Sequence, residues 1–172
     1  GTETGAPNPE YKTDANTHAR EALETFVRNL APVVERAERW GVAVAIEPVW
    51  KHIVYDTDRA LEVLNAVRSP NLRVIFDPVN LLYAGNADDR ERVVGEAMDK
   101  LAGHIAVIHL KDFVREGDGL RAVAAGTGEM DYTGILRFMK ERKPYLQATL
   151  ENTTNHNAVQ AREFLQGLYG GL

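Results

Sequence analysis

Four ionisable side chains stand at the ends of four mostly apolar segments of the chain. They are Glu47 after VAVAI, Asp77 after LRVIF, His109 after IAVI and Glu151 after LQATL. Carboxylates and imidazole bind divalent cations, and a set rich in oxygen donors favours Mn²⁺ or Mg²⁺. Three carboxylates that converge without a cation would also repel one another strongly. The residue types therefore predict a divalent metal site, with Mn²⁺ as the expected ion and Mg²⁺, Co²⁺ and Zn²⁺ as alternatives.

The elements that would position these groups alternate along the chain. Apolar residues recur at helical spacing in 14–40, 57–67, 87–101, 131–140 and 156–168. Short apolar runs between them predict strands at 42–48, 72–77, 104–110 and 146–152, and a glycine-rich loop follows the third. Thr57 is predicted to cap the second helix and Asp131 the fourth. Strands separated by helices predict an α/β fold with a parallel sheet, whose active site gathers at the carboxyl ends of the strands.

The alternation of side chains along a strand supports convergence of the four groups. Glu47 shares a strand face with Ala43 and Ala45, and His109 shares one with Val107. Neighbouring strands lie about 4.8 Å apart, so groups at their ends can reach a common point. A lone carboxylate or histidine at a strand end is more often structural. The recurrence of such a group at the same end of all four strands favours a functional site.

Composition limits the classes of function. The 172 residues form one domain, 1–172, and the net charge of −5 argues against a nucleic-acid partner. The absence of cysteine excludes disulfides and thiolate metal sites. No apolar run approaches the roughly 20 residues of a membrane span, and no signal peptide is evident. We therefore predict a cytoplasmic protein that contacts neither nucleic acid nor membrane.

Four motifs together resemble a known family. AIEP, FDPVN, IHLKD and LEN occur in this order, with GTGEMDY between the last two. This set resembles the C-terminal half of the xylose isomerase-like TIM barrels, which include sugar isomerases and epimerases, inosose dehydratases and apurinic endonucleases. The resemblance implies a (β/α)8 barrel of which this chain covers roughly strands 5–8 and their helices. GTETG at the start resembles the loop after strand four.

The resemblance also implies roles for individual residues. Glu47, Asp77, His109 and Glu151 match the metal ligands of barrel strands five to eight. In the ketose 3-epimerase branch the two glutamates are also the acid/base pair. Arg115 matches an arginine that holds a substrate hydroxyl six residues after the ligand histidine. Asn80 stands where the family commonly has a histidine, which puts the substrate contacts and any multi-zinc site in doubt.

Three further residues near these motifs have both a structural and a functional interpretation. Lys111, two residues after His109, faces the same way and could form an ion pair or contact substrate. Asp112 could orient a neighbour or cap the loop. His52 lies with Trp50 in a loop at the active-site end, where it either contacts substrate or belongs to the surface. Together with Arg115 and Asn80, we include Lys111 and His52 in the predicted substrate-binding set.

The function implied by the resemblance is a metal-dependent isomerase or epimerase of a small sugar or polyol, acting through an enediolate. The alternatives are an inosose dehydratase-type lyase, an apurinic endonuclease-like hydrolase and a non-catalytic relative. The acidic balance and Asn80 speak against the endonuclease, and four intact ligands speak against the non-catalytic relative.

A barrel of eight strands requires about 250 residues. Four strands alone leave two open sheet edges. Either an N-terminal half barrel from a longer protein completes the fold, or two copies pair as a homo-oligomer. We favour the longer protein, because the start of the chain resembles a loop and residue 1 is glycine.

Overall fold

Helices and strands alternate along residues 16–172, the part of the chain that the computed structural model describes. The GTETG segment lies outside these residues. The helices are α1 (Arg20–Arg39), α2 (Thr57–Val67), α3 (Arg90–Leu101), α4 (Thr133–Arg142) and α5 (Ala158–Gly171). The strands are β1 (Val44–Ile46), β2 (Leu72–Phe76), β3 (Ile105–Leu110), β4 (Asp112–Glu116), β5 (Gly119–Val123) and β6 (Gln147–Leu150). Short 3₁₀ turns at Val79–Leu81 and Ala87–Asp89 precede α3.

Four strands form one sheet in the order β1-β2-β3-β6, and every pairing between neighbours is parallel. This confirms the predicted α/β fold with a parallel sheet. Within β2, Leu72, Val74 and Phe76 are buried in the core formed with the helices, whereas Arg73 and Ile75 on the opposite face are partly exposed. The parallel arrangement brings the carboxyl ends of all four strands to one edge. That these strands are the second half of a closed barrel stays a prediction.

Several predicted helix starts are wrong. The first helix begins at Arg20 rather than at 14, and the last at Ala158 rather than at 156. The N-cap of α2 is Asp56, whose side chain accepts the backbone N–H of Arg59 at 2.8 Å, so Thr57 is the first helical residue. The third α-helix begins at Arg90 rather than at 87, because residues Ala87–Asp89 form a 3₁₀ turn. The N-cap position of α4 is Tyr132 rather than the predicted Asp131, although Oδ1 of Asp131 accepts the backbone N–H of Thr133 at 2.8 Å. Aspartate can satisfy the open N–H groups of a helix start from more than one position.

The predicted glycine-rich loop after β3 contains an antiparallel hairpin of β4 and β5. Gly117, in the turn, has a φ of 59°, a left-handed conformation that glycine adopts without steric cost. The segment predicted as a loop therefore contains two strands, Asp112–Glu116 and Gly119–Val123. Among the described residues, no helix combines the length and the apolar character required to cross a bilayer.

Candidate metal centre

The four predicted ligands meet at the carboxyl edge of the parallel sheet. Each of Glu47, Asp77, His109 and Glu151 offers one donor atom, and these four atoms lie within 4.8 Å of one another. Nδ1 of His109 is central to the set. It lies 2.8 Å from Glu151 Oε1, 3.3 Å from Glu47 Oε1 and 3.7 Å from Asp77 Oδ2. Residues that are up to 104 positions apart in the chain therefore form one cluster of donors.

The cluster fits a divalent metal ion. Oxygen and nitrogen ligands lie about 2.0–2.2 Å from ions such as Zn²⁺ and Mg²⁺, so two ligands of one ion are separated by no more than about 4.4 Å. The three distances from His109 Nδ1 to the carboxylate oxygens fall within that limit. Asp77 Oδ2 and His109 Nδ1 are also buried without a hydrogen bond of acceptable geometry. Buried polar atoms are rarely left without a partner, and a metal ion is one partner that would satisfy both.

The four side chains differ in their access to solvent. The Asp77 side chain is fully buried and that of His109 is 14% exposed, whereas those of Glu47 and Glu151 are 29% and 32% exposed. The two glutamates follow β1 and β6, the outer strands of the sheet. The glutamates therefore flank the cluster from opposite sides, while the aspartate and the histidine are its more deeply buried members.

Hydrogen bonds fix the orientation of Asp77 and Glu47. Oδ1 of Asp77 accepts the backbone N–H groups of Val79 at 3.0 Å and of Asn80 at 3.1 Å, which leaves Oδ2 turned towards the other ligands. The side-chain amide of Asn80 donates to Glu47 Oε1 at 2.8 Å. Asn80, which departs from the family pattern, thus holds a predicted ligand in place.

Lys111 brings a positive charge into the cluster. Its Nζ lies 2.7 Å from Asp77 Oδ2 and 2.9 Å from Glu151 Oε2, and the residue is only 6% exposed. The bond to Glu151 has hydrogen-bond geometry, whereas the contact with Asp77 is an ion pair that is too bent to count as a hydrogen bond. The ion pair, which is the structural interpretation of Lys111 in the sequence, is therefore present.

The local environment shifts the pKa values of three of these groups. Burial raises the pKa of Glu47, and the charge of Asp77 raises it further. The interaction with the Asp77 carboxylate raises the pKa of His109 most, and the charges of Glu151 and Glu47 raise it further, against the effect of burial. Burial opposes the charged form of Lys111, but the charges of Asp77 and Glu151 outweigh it and raise its pKa.

Asp112 fastens the loop after β5 to the end of β3, a role that the sequence left open. Its Oδ1 accepts the backbone N–H groups of Phe113 at 2.9 Å and Met130 at 2.8 Å. Its Oδ2 accepts those of Gly126 at 3.1 Å and Gly128 at 2.9 Å. A single buried carboxylate therefore satisfies four backbone donors.

Tyr132, which sequence analysis did not select, also supports this end of β3. Its buried hydroxyl donates to the carbonyl of Lys111 at 2.7 Å, and burial raises the pKa of that hydroxyl well above its ordinary value. Its place in the GTGEMDY motif is the one signal in the sequence that could have selected it.

Two residues of the predicted substrate-binding set lie outside the cluster of donors. Arg115, on β4, forms ion pairs with Asp88 at 2.6 Å and with Glu129 at 3.2 Å. His52 lies in the loop between β1 and α2, where its backbone N–H donates to the carbonyl of Val49 at 2.7 Å. A role for either residue in substrate binding stays a prediction.

Several known proteins are similar to this chain in sequence or in fold. An uncharacterised protein of Methanocaldococcus jannaschii is 25% identical over 155 residues, which are 88% of this chain and 50% of that protein. A xylose isomerase domain protein from Planctomyces limnophilus is 27% identical with a TM-score of 0.67, over 87% of this chain and 55% of that one. The chain thus spans about half the length of the relatives it matches.

Two further solved structures are similar in fold. A D-tagatose 3-epimerase-like protein is 23% identical with a TM-score of 0.72, over 87% of this chain and 55% of that one. A xylose isomerase-like TIM barrel protein from Mycobacterium smegmatis, in complex with magnesium, is 13% identical with a TM-score of 0.65, over 94% and 55%. The model of the family described as xylose isomerase-like TIM barrel matches residues 4–168. The chain therefore belongs to the xylose isomerase-like TIM barrel family.

Proposed function

We propose that this chain carries the active centre of a divalent-metal-dependent isomerase or epimerase of a small sugar or polyol. The observation that carries the proposal is the set of four donor atoms within 4.8 Å, two of which are buried without a hydrogen bond. Glu47, Asp77, His109 and Glu151 would hold the ion, and Mn²⁺ is the ion we expect from this oxygen-rich set. When bound, such an ion polarises a substrate carbonyl and so acidifies the neighbouring C–H group.

The two glutamates supply the acid/base chemistry in this proposal. They are the more exposed members of the set and they flank it from the two outer strands. One carboxylate removes the proton next to the carbonyl, which gives an enediolate, and the other carboxyl group returns a proton. Return to the opposite face of the same carbon inverts its configuration, and return to the neighbouring carbon isomerises the sugar.

The remaining polar groups have supporting roles in the proposal. Asn80 fixes the Glu47 carboxylate through Oε1, so that this base does not rotate between turnovers. Arg115 and His52 are proposed to contact substrate hydroxyls. For Arg115 this requires that its ion pair with Asp88 or with Glu129 break. Both carboxylates are accessible to solvent, which can hydrate them when the ion pair is broken. We propose a small-molecule partner only, and a cytoplasmic location.

Metal binding is tested first, by elemental analysis after the purified protein is exposed to Mn²⁺, Mg²⁺, Co²⁺ or Zn²⁺ and then gel-filtered. We expect about one ion per chain in the wild type and a loss in His109→Ala and in Glu151→Gln. Glu163→Gln is the matched control, because Glu163 is an exposed glutamate on α5 and its replacement makes the same change in charge. The absence of any bound ion in the wild type would refute the proposed mechanism.

Activity is tested with a panel of ketoses and inososes in D₂O. An epimerase or isomerase should place solvent deuterium at the carbon next to the carbonyl and give a product of unchanged mass apart from that label. Loss of water would instead identify a dehydratase, the alternative that uses the same two glutamates. Deuterium exchange should disappear in Glu47→Gln and in Glu151→Gln but persist in Glu163→Gln.

A further inference from the structure

Lys111 is the buried cation of the cluster, and its position is unsuited to substrate contact. Its side chain is 7% exposed, and Nζ lies between Asp77 Oδ2 at 2.7 Å and Glu151 Oε2 at 2.9 Å. The backbone that follows the Lys111 side chain is also fixed, since the Tyr132 hydroxyl donates to the Lys111 carbonyl and the Asp112 carboxylate accepts four backbone N–H groups. A lysine held in this way must act through the two carboxylates that it contacts.

The two contacts of Lys111 differ in kind. On Glu151 it holds Oε2, the oxygen turned away from His109, and so leaves Oε1 directed at Nδ1. On Asp77 the ammonium group of Lys111 contacts Oδ2, the oxygen that faces the other ligands, because Oδ1 accepts two backbone N–H groups. Lys111 therefore orients one ligand and shares its charge with the donor atom of another.

Charge balance gives this arrangement a purpose. The ligand set contains three carboxylates and a neutral imidazole, and one lysine leaves two negative charges. A single divalent ion then brings the site to zero, whereas without the lysine the loaded site would keep one negative charge. Excess negative charge on the ligands binds an ion more tightly but reduces its power to polarise a carbonyl.

We propose that Lys111 is a built-in counter-ion of the metal centre. Its side chain orients Glu151, and its positive charge weakens metal binding while it makes the bound ion more electrophilic. This inference rests on the proposed function, since it concerns the same site. Lys111 is a positioning residue in this scheme rather than a substrate ligand. The scheme predicts that loss of Lys111 changes metal affinity and turnover in opposite directions.

The size of the effect on affinity follows from the distances. Nζ is 2.7 Å from Asp77 Oδ2, and a bound ion would lie about 2.1 Å beyond that oxygen, so the two cations are at most about 5 Å apart. Even with the dielectric constant of bulk water, a unit charge repels a divalent ion at that distance by an amount that corresponds to roughly a tenfold change in affinity. We therefore expect the Lys111→Met variant to bind Mn²⁺ and Co²⁺ about tenfold more tightly than the wild type, or tighter still.

The experiment is calorimetric titration of the metal-free protein with Mn²⁺ and with Co²⁺, in wild type, Lys111→Met and Lys100→Met. Lys100 is the matched control, because it is an exposed lysine on α3 that pairs with Asp58 at 2.7 Å and lies outside the cluster. Tighter binding in Lys111→Met alone, with a lower kcat and an unchanged KM, is the expected result. Unchanged or weaker binding in Lys111→Met would overturn the proposal, since a merely structural lysine would lower affinity when removed.

A second measurement separates this inference from the proposed function. In the metal-free state Lys111→Met should lower the melting temperature, and a second change, Asp77→Asn, should restore part of the loss by removing the unpaired negative charge. Should the wild type bind no divalent ion, the proposed function fails, and the rescue would still show that Lys111 neutralises Asp77 in the metal-free cluster. A double variant no more stable than Lys111→Met would refute the counter-ion role whatever the metal result.

Discussion

The Asp112→Asn substitution is expected to destabilise the protein although it changes few atoms. Asp112 is buried, and its two oxygens accept four backbone N–H groups. Asparagine offers only one accepting oxygen. Its NH₂ group would replace the other oxygen and would face two backbone N–H groups, which cannot accept a hydrogen bond. Two of the four backbone donors would therefore lose their acceptor.

The magnitude depends on which pair of donors is lost. Unsatisfied buried donors cost about 1–3 kcal/mol each. The asparagine oxygen is expected to keep Phe113, which is buried, and Met130, and so to release Gly126 and Gly128, which are exposed residues that water can reach. The expected loss in the free energy of unfolding is therefore about 2–3 kcal/mol, towards the low end of the range for two donors.

The assay is urea denaturation of the purified variant, followed by circular dichroism. The Asp131→Asn variant is the matched control, because Asp131 lies in the same loop but is exposed and accepts one bond, from Thr133. We expect that control to lose less than about 1 kcal/mol. If Asp112→Asn lost no more than Asp131→Asn, the four bonds would not be what holds this loop.

Two further predictions concern the same region and the metal-free cluster. A Cβ added at Gly128 would lie 2.1 Å from the carbonyl oxygen of Phe113 and 2.4 Å from Asp112 Oδ1, so Gly128→Ala should cost more than about 2 kcal/mol in the same denaturation assay, and a smaller loss would show that the loop can shift. The raised pKa values of Glu47 and His109 mean that the folded, metal-free protein binds protons more tightly than the unfolded chain does. The stability that protonated His109 provides is complete below its ordinary pKa of 6.5 and is lost as the pH rises through the raised value. The contribution of protonated Glu47 is likewise lost as the pH rises above 4.5 through its own raised pKa. The melting temperature in EDTA should therefore fall from pH 6 to pH 8, less steeply in His109→Gln, and an equal slope in that variant would refute the assignment to His109.

Prediction from sequence succeeded best where each element carries its own signal. The four parallel strands and the helices between them follow from hydrophobic periodicity, and strand ends follow from the break in that pattern. Glu47, Asp77, His109 and Glu151 could be selected because each one stands at or next to the carboxyl end of such a strand. Their convergence needed only one further premise, that parallel strands end at the same edge of a sheet.

The errors lie where local signals compete. Asp56 and Thr57 are adjacent and both can cap a helix, and only the backbone conformation, extended at Asp56, decides between them. The sequence predicts a loop where the structure has the β4–β5 hairpin. The glycines of this segment indicate turns, and the apolar stretches FVR and LRAV are too short to indicate strands by themselves. Pairing across a turn depends on the partner strand, which local propensity does not describe.

The sequence by itself determined the α/β class, the alternation of helices with the four parallel strands and the four ionisable residues at the ends of those strands, because these properties depend on short windows of the chain. The tertiary structure alone decided how those donors are held. Lys111 meets Glu151 across 40 positions, Asn80 meets Glu47 across 33 and Met130 meets Asp112 across 18. Contacts of that range exist only once the sheet has formed, since strand pairing is what brings such distant segments within the few ångströms over which ion pairs and hydrogen bonds act.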